Sequence, residues 1–258
     1  MYQTLQNLLA DKKGDVTFTC FGLWHMLYLA LILGVILTVL LLLKNRSQAA
    51  KRRATDAALC TAFGLYMADF FLMPFAYGAI DIEKLPFHAC TATCLLCVLS
   101  RHNSFLGKWK DPFMLLGLLS NLIYVIYPAG VGWYGVHPLC YRVWQTLLYH
   151  GAMTAFGIFS LGFGEVKLEW KKCPRDLALL GAMTLWALMG NTLYNGLDDR
   201  FFNWFFVVRD PFYILPEGIA PFIMPFFMIA VMFAGEMLIH TVCFGLKRFS
   251  DKLRPSQP

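Results

Sequence analysis

Residues 21–43 read FGLWHMLYLALILGVILTVLLLL, 23 positions without an Asp, Glu, Lys or Arg. A helix rises about 1.5 Å per residue, so this run reaches the roughly 30 Å needed to cross the hydrocarbon core of a bilayer. Other apolar runs of similar length follow, and in hydrocarbon a helix satisfies its own backbone N–H and C=O groups. Composition agrees: 58% of the 258 residues are hydrophobic and 15% are charged, where a soluble domain carries roughly 25% charged residues. The chain is therefore expected to be an all-α, multi-pass cell-membrane protein forming a single transmembrane domain over residues 1–258. Seven spans are expected, at about 21–43, 55–78, 85–100, 112–129, 140–163, 175–195 and 218–244. The first run is long enough to span and is not followed by a small-residue cleavage site, so it reads as a span rather than a signal peptide.

The basic residues give this bundle a direction. Lys44, Arg46, Lys51, Arg52 and Arg53 lie between the first and second spans. Arg101, Lys108 and Lys110 follow the third, and Lys167, Lys171, Lys172 and Arg175 follow the fifth. Lys247, Arg248, Lys252 and Arg254 end the chain, so 16 of the 22 Lys and Arg fall in alternate connections. The positive-inside rule then puts the C-terminus in the cytoplasm and the N-terminus outside. The net charge of +6 is placed by topology, which argues against a nucleic-acid partner.

Five spans carry polar groups into the outer half of the bilayer: His25 on the first, Asp69 on the second, His88 and Cys90 on the third, His150 on the fifth, and Asn191 and Asn195 on the sixth. The inner half has Glu236 and His240 on the seventh. Each group has a plain structural reading, whether a histidine bonded to a carbonyl, a protonated aspartate between helices, or amides at i and i+4 holding helices together. Gathered at one depth, they point to a polar cavity open to the outer leaflet. A histidine suits general-base work, and a thiol or hydroxyl beside it suits nucleophilic attack, which makes Cys90 and Thr91 the candidate nucleophiles. The eight cysteines are scattered through apolar segments, and no HExxH or His-x-His pair is present. Neither a disulfide framework, a metal site nor a cofactor is expected.

Several segments together carry a resemblance: FGLWHMLYL in the first span, LPFHAC opening the third, IYPAG ending the fourth, LLYHGAM in the fifth, GNTLYN in the sixth and RDPFY before the seventh. With these, the chain resembles the YwaF-like bacterial integral membrane proteins. That family is related to the eukaryotic transmembrane acyltransferases that place polyunsaturated acyl chains on ether phospholipids. The resemblance implies a seven-helix bundle with a lipid-facing site using a cysteine and a histidine, and His88 and His150 match the family histidines. The eukaryotic enzymes carry their nucleophilic cysteine immediately before the motif histidine, where Phe87 stands here. On an ideal helix Cys90 is about 200° round from His88, so it does not simply replace that thiol.

The expected function is lipid modification, by an acyltransferase or acyl hydrolase acting on a membrane phospholipid or other acyl lipid. His150 is the expected base, with His88 binding or polarising the acyl carbonyl and Cys90 or Thr91 attacking. His25, Asp69, Thr91, Asn191, Asn195, Arg209 and Asp210 are expected around the substrate. Asn195 and Asp210 would orient the histidines or the headgroup. The loop NGLDDRFFNWFFVVRDPFYILPEG reads either as an interfacial aromatic belt or as a lid. In the lid, Arg200 or Arg209 meets a lipid phosphate, and Asp198 has little effect. The competing class is a small transporter or ligand-binding membrane protein without turnover.

Overall fold

A computed structural model describes residues 9–12, 14–78, 80–195, 201–211 and 213–253, and among these no strand occurs. Seven helices carry the structure: α1 (Leu23–Leu43), α2 (Gln48–Tyr77), α3 (Ala89–Ser100), α4 (Lys110–Ile126), α5 (Tyr141–Gly162), α6 (Cys173–Asn195) and α7 (Ala220–Leu253). By length and composition, five stretches can cross a membrane: Leu23–Leu43, Gln48–Phe75, Lys110–Gly132, Trp170–Asn195 and Ala220–Leu246. The seven spans read from the sequence reduce to five on this measure. α3 is apolar but has 12 residues, or roughly 18 Å of helix, which is short of a hydrocarbon core. α5 is long enough but carries Arg142, Gln145, Thr146, His150, Thr154 and Ser160.

The described chain separates into two units, Met1–Val166 and Lys167–Pro258. In the first, α5 is the central element, with 15 of its 22 residues buried. It packs against α2, α4 and α1, while α3 packs on α4 and α2. A helix shielded from lipid by its neighbours can hold polar side chains that a lipid-facing helix cannot. α1 is the opposite case: it buries only His25, Ile32 and Ile36 and presents Leu31, Leu33, Val35, Leu37 and Leu41 outward. Ile32 and Ile36, one turn apart, pack with Ala155, Phe159 and Val125. Ser47 caps α2 by accepting from the Ala50 amide at 3.3 Å, and Gly78, with φ of 74°, ends it in the left-handed conformation that favours glycine.

Glycines set how closely α5 approaches its neighbours. A Cβ at Gly157 would lie 2.6 Å from Leu118 Cβ, whereas one at Gly64 would meet nothing within 4 Å. Gly157→Val is therefore expected to lose on the order of 1–3 kcal/mol through overpacking, seen as a lower melting temperature in detergent. Gly64→Ala should be neutral or slightly stabilising. Equal melting of the two variants would remove the close α4–α5 contact.

In the second unit α6 and α7 pack on each other, and the single turn at Trp204–Phe206 packs on both.

Candidate functional site

The site begins before α3. Pro86 restricts the residue ahead of it to extended backbone, and Leu85 sits at φ −58° and ψ 148° after the turn Ile82–Lys84. His88 is the N-cap of α3, extended at φ −79° and ψ 144°. It lies outside the regular helix, so the 200° separation from Cys90 drawn from an ideal helix does not apply. Cys90 and Thr91 stand in the first turn, where backbone N–H groups have no acceptor within the helix. The Thr91 hydroxyl donates to the His88 carbonyl at 3.1 Å.

α5 brings His150 to this turn, and α4 fixes its protonation. Asn121 Nδ2 donates to the Gly117 carbonyl at 2.7 Å, and its Oδ1 faces His150 Nδ1 at 2.7 Å. An amide oxygen only accepts, so Nδ1 carries the proton and Nε2 of the neutral ring carries the lone pair. Tyr124 stacks on the imidazole with centroids 3.9 Å apart, and Tyr149 meets it edge-on at 4.9 Å. The Tyr149 hydroxyl donates to the Cys90 carbonyl at 2.9 Å and so ties α5 to the first turn of α3. A base with a fixed proton-free nitrogen thus follows directly on the tyrosine that is bonded to the first turn of α3, the turn that carries the Cys90 thiol. Such a pair suits acyl transfer.

The other expected substrate residues have partners of their own. His25 accepts from the Phe21 amide at Nδ1 and donates from Nε2 to the Val125 carbonyl, both at 2.9 Å. With both nitrogens engaged, it fastens the start of α1 to the end of α4. Asp69 forms an ion pair with Lys84 at 2.8 Å.

Asn191, Asn195, Arg209 and Asp210 belong to the second unit. Asn191 accepts from the Trp204 amide at 2.8 Å and donates to its carbonyl at 3.1 Å. One turn along, Asn195 does the same to Phe202, at 2.5 and 2.9 Å. The Phe202 and Trp204 rings stack 4.7 Å apart. Asp210 accepts from the Ile214 and Leu215 amides at 2.7 and 2.9 Å, and Arg209 pairs with Glu217. The Asp210 carboxylate is engaged with a turn of its own loop, and Asn121 orients His150. Asp198 and Arg200 lie outside the described residues.

A cavity of about 400 Å³ lies elsewhere in the first unit, lined by Lys51, Arg52, Arg101, Lys110, Glu165 and the C-terminal part of α3 at Cys97. Cys97 is seven residues from Cys90, roughly 10 Å along the helix, so this basic cavity is distinct from the histidine site.

Asn121, Tyr124, Tyr149 and Lys84 were not singled out from the sequence. The available signal was SNLIY: an asparagine inside an apolar run, with a tyrosine three residues later on the same helix face. Among curated proteins and among solved structures no match is found. A sequence model of the TMEM164 family matches residues 20–245. With that match covering most of the chain and membrane-length apolar helices beneath it, the chain belongs to the TMEM164 family of membrane proteins.

Proposed function

We propose that the protein is a membrane-embedded acyl-transfer enzyme working on phospholipid acyl chains, with Cys90 as nucleophile and His150 as base. The observation that carries this reading is the His150 ring. Its Nδ1–H is held by Asn121 and its face is held by Tyr124, and the preceding residue, Tyr149, is bonded to the Cys90 carbonyl in the first turn of α3. In the first half-reaction His150 Nε2 takes the Cys90 proton, and the sulfur attacks the acyl carbonyl of the donor lipid. First-turn amides of α3 and His88 stabilise the oxyanion. Collapse breaks the ester bond and the lysolipid oxygen leaves with the proton from His150. In the second half-reaction an acceptor hydroxyl gives its proton to His150 and takes the acyl group from sulfur; with water as acceptor the outcome is hydrolysis.

The test uses purified protein and a phospholipid with an isotopically labelled acyl chain. Wild type should show a hydroxylamine-sensitive acyl adduct on the Cys90 peptide, together with lysolipid release. If Cys90→Ala releases lysolipid as fast as wild type, thiol catalysis is excluded. The competing reading, ligand binding without turnover, is favoured by the basic cavity near Cys97 and predicts saturable lipid binding with neither adduct nor lysolipid.

The reading includes a topology. α3 and α5 complete seven crossings, with the polar residues of α5 kept from lipid by α1, α2 and α4, the N-terminus outside and the C-terminus in the cytoplasm. Alternation of the basic residues supports it. A reporter fused after Pro258 should be cytoplasmic and one fused before Met1 external. Both on the same side would mean an even number of crossings.

A further inference from the structure

The second unit holds a cluster that the proposed chemistry does not use. Cys173 and Asp176 stand three residues apart in the first turn of α6, and Glu236 and His240 stand four apart on α7. Cys173 Sγ, an Asp176 carboxylate oxygen and a His240 ring nitrogen all lie within 4.8 Å of one another. His240 Nε2 is 3.5 Å from Asp176 Oδ2 and has no hydrogen-bond partner among the described residues. Glu236 is 0% exposed, and neither of its carboxylate oxygens is hydrogen-bonded among the described residues.

Two buried carboxylates, Asp176 and Glu236, in an apolar helix pair are costly unless a cation or protons neutralise them. Helix packing alone would not require a thiol, an imidazole and a carboxylate to converge. These are ligand types for a borderline-soft divalent ion, while a hard ion such as magnesium prefers oxygen ligands alone. Zinc binds such donors at roughly 2.0–2.3 Å in a tetrahedron, which sets its ligand atoms roughly 3.3–3.6 Å apart. The observed spacing fits with small side-chain adjustments. The Cys173 thiol points at the Met237 thioether, 3.7 Å away, a weak acceptor easily given up when the thiol ionises. The Trp170 ring lies 5.2 Å from the His240 ring, limiting its swing.

We propose that Cys173, Asp176 and His240 form a zinc-type metal site joining α6 to α7, with the buried Glu236 one turn before His240 on the same face of α7. The sequence alone suggests no metal site, because its ligands come from two helices rather than from one short motif. The site is separate from the histidine site of the first unit and stands or falls independently of acyl transfer.

Full-length protein in detergent, stripped with chelator and reloaded with zinc, should retain about one equivalent per chain by elemental analysis. Cobalt loading should produce a thiolate-to-cobalt charge-transfer band. Cys173→Ser should abolish that band, and His240→Ala should cut zinc retention by about tenfold or more. Cys243→Ser is the control and should keep both. Size-exclusion profiles show whether each variant folds. Because wild-type retention is read without any substitution, a monodisperse wild type that takes up neither metal, or a cobalt band that survives Cys173→Ser, would overturn the proposal.

Discussion

His150→Ala is expected to lower acyl transfer by roughly 10²–10⁴-fold, the range a positioned general base contributes. The side chain is buried and its proton-free nitrogen has been placed by an amide and two aromatic rings, so solvent does not readily substitute for it. Asn121→Leu separates chemistry from architecture. It leaves the imidazole present but removes the acceptor that holds the proton on Nδ1. Loss of that orientation is expected to cost up to roughly 100-fold in turnover. The buried Nδ1–H left unpaired adds about 1–3 kcal/mol of destabilisation. Asn121→Asp, which keeps an acceptor oxygen, should recover part of the rate. Initial rates of labelled lysolipid release, with melting temperatures for each variant, decide the matter. A His150→Ala enzyme with wild-type turnover would remove the base from the mechanism.

Lys84→Met is expected to destabilise the first unit by about 3 kcal/mol. Its ammonium meets the Asp69 carboxylate at 2.8 Å, with Asp69 side-chain exposure of 4% against 23% for Lys84. Removing one partner of a buried pair typically costs about 3–5 kcal/mol, because the remaining charge stays buried without compensation. The partial exposure of Lys84 puts the expectation at the lower end. The Tyr66 hydroxyl bond to the Lys84 carbonyl, at 2.8 Å, survives the substitution because it uses backbone. Lys84→Met combined with Asp69→Leu should recover most of the loss. A thermal shift assay of the three variants measures this, and no change in the single variant would show that the pair contributes nothing net.

Helix positions were legible wherever lipid dictates composition. α1 needed only its apolar run. α2 starts at Gln48 rather than near residue 55, because its first turns are built from Ala, Lys and Arg behind a serine cap, all good helix formers without being apolar. α3 starts at Ala89 rather than 85, and the reason was present in the sequence: Pro86 forces extended backbone ahead of it. The polar groups of the site were visible as exceptions within apolar runs, but their partners were not. Nothing in a linear chain says that Asn121 faces His150 or that Lys84 reaches Asp69. Spacing showed that Asn191 and Asn195 share a helix face, yet what they would hold was hidden, because the answer is loop backbone.

That pair of asparagines converts a helix into a ruler. Two residues one turn apart, at i and i+4, are separated by about 6 Å along the axis, and alternate residues of an extended chain by about 6.6 Å. Asn203 between the two bonded residues is non-helical, at φ −135° and ψ 55°, and the spacing lets one edge of α6 hold both Phe202 and Trp204 while their rings stack on one side. Loop register is thereby encoded in helical periodicity. An inserted residue between positions 202 and 204 would shift the second amide out of reach and turn one aromatic ring to the opposite face.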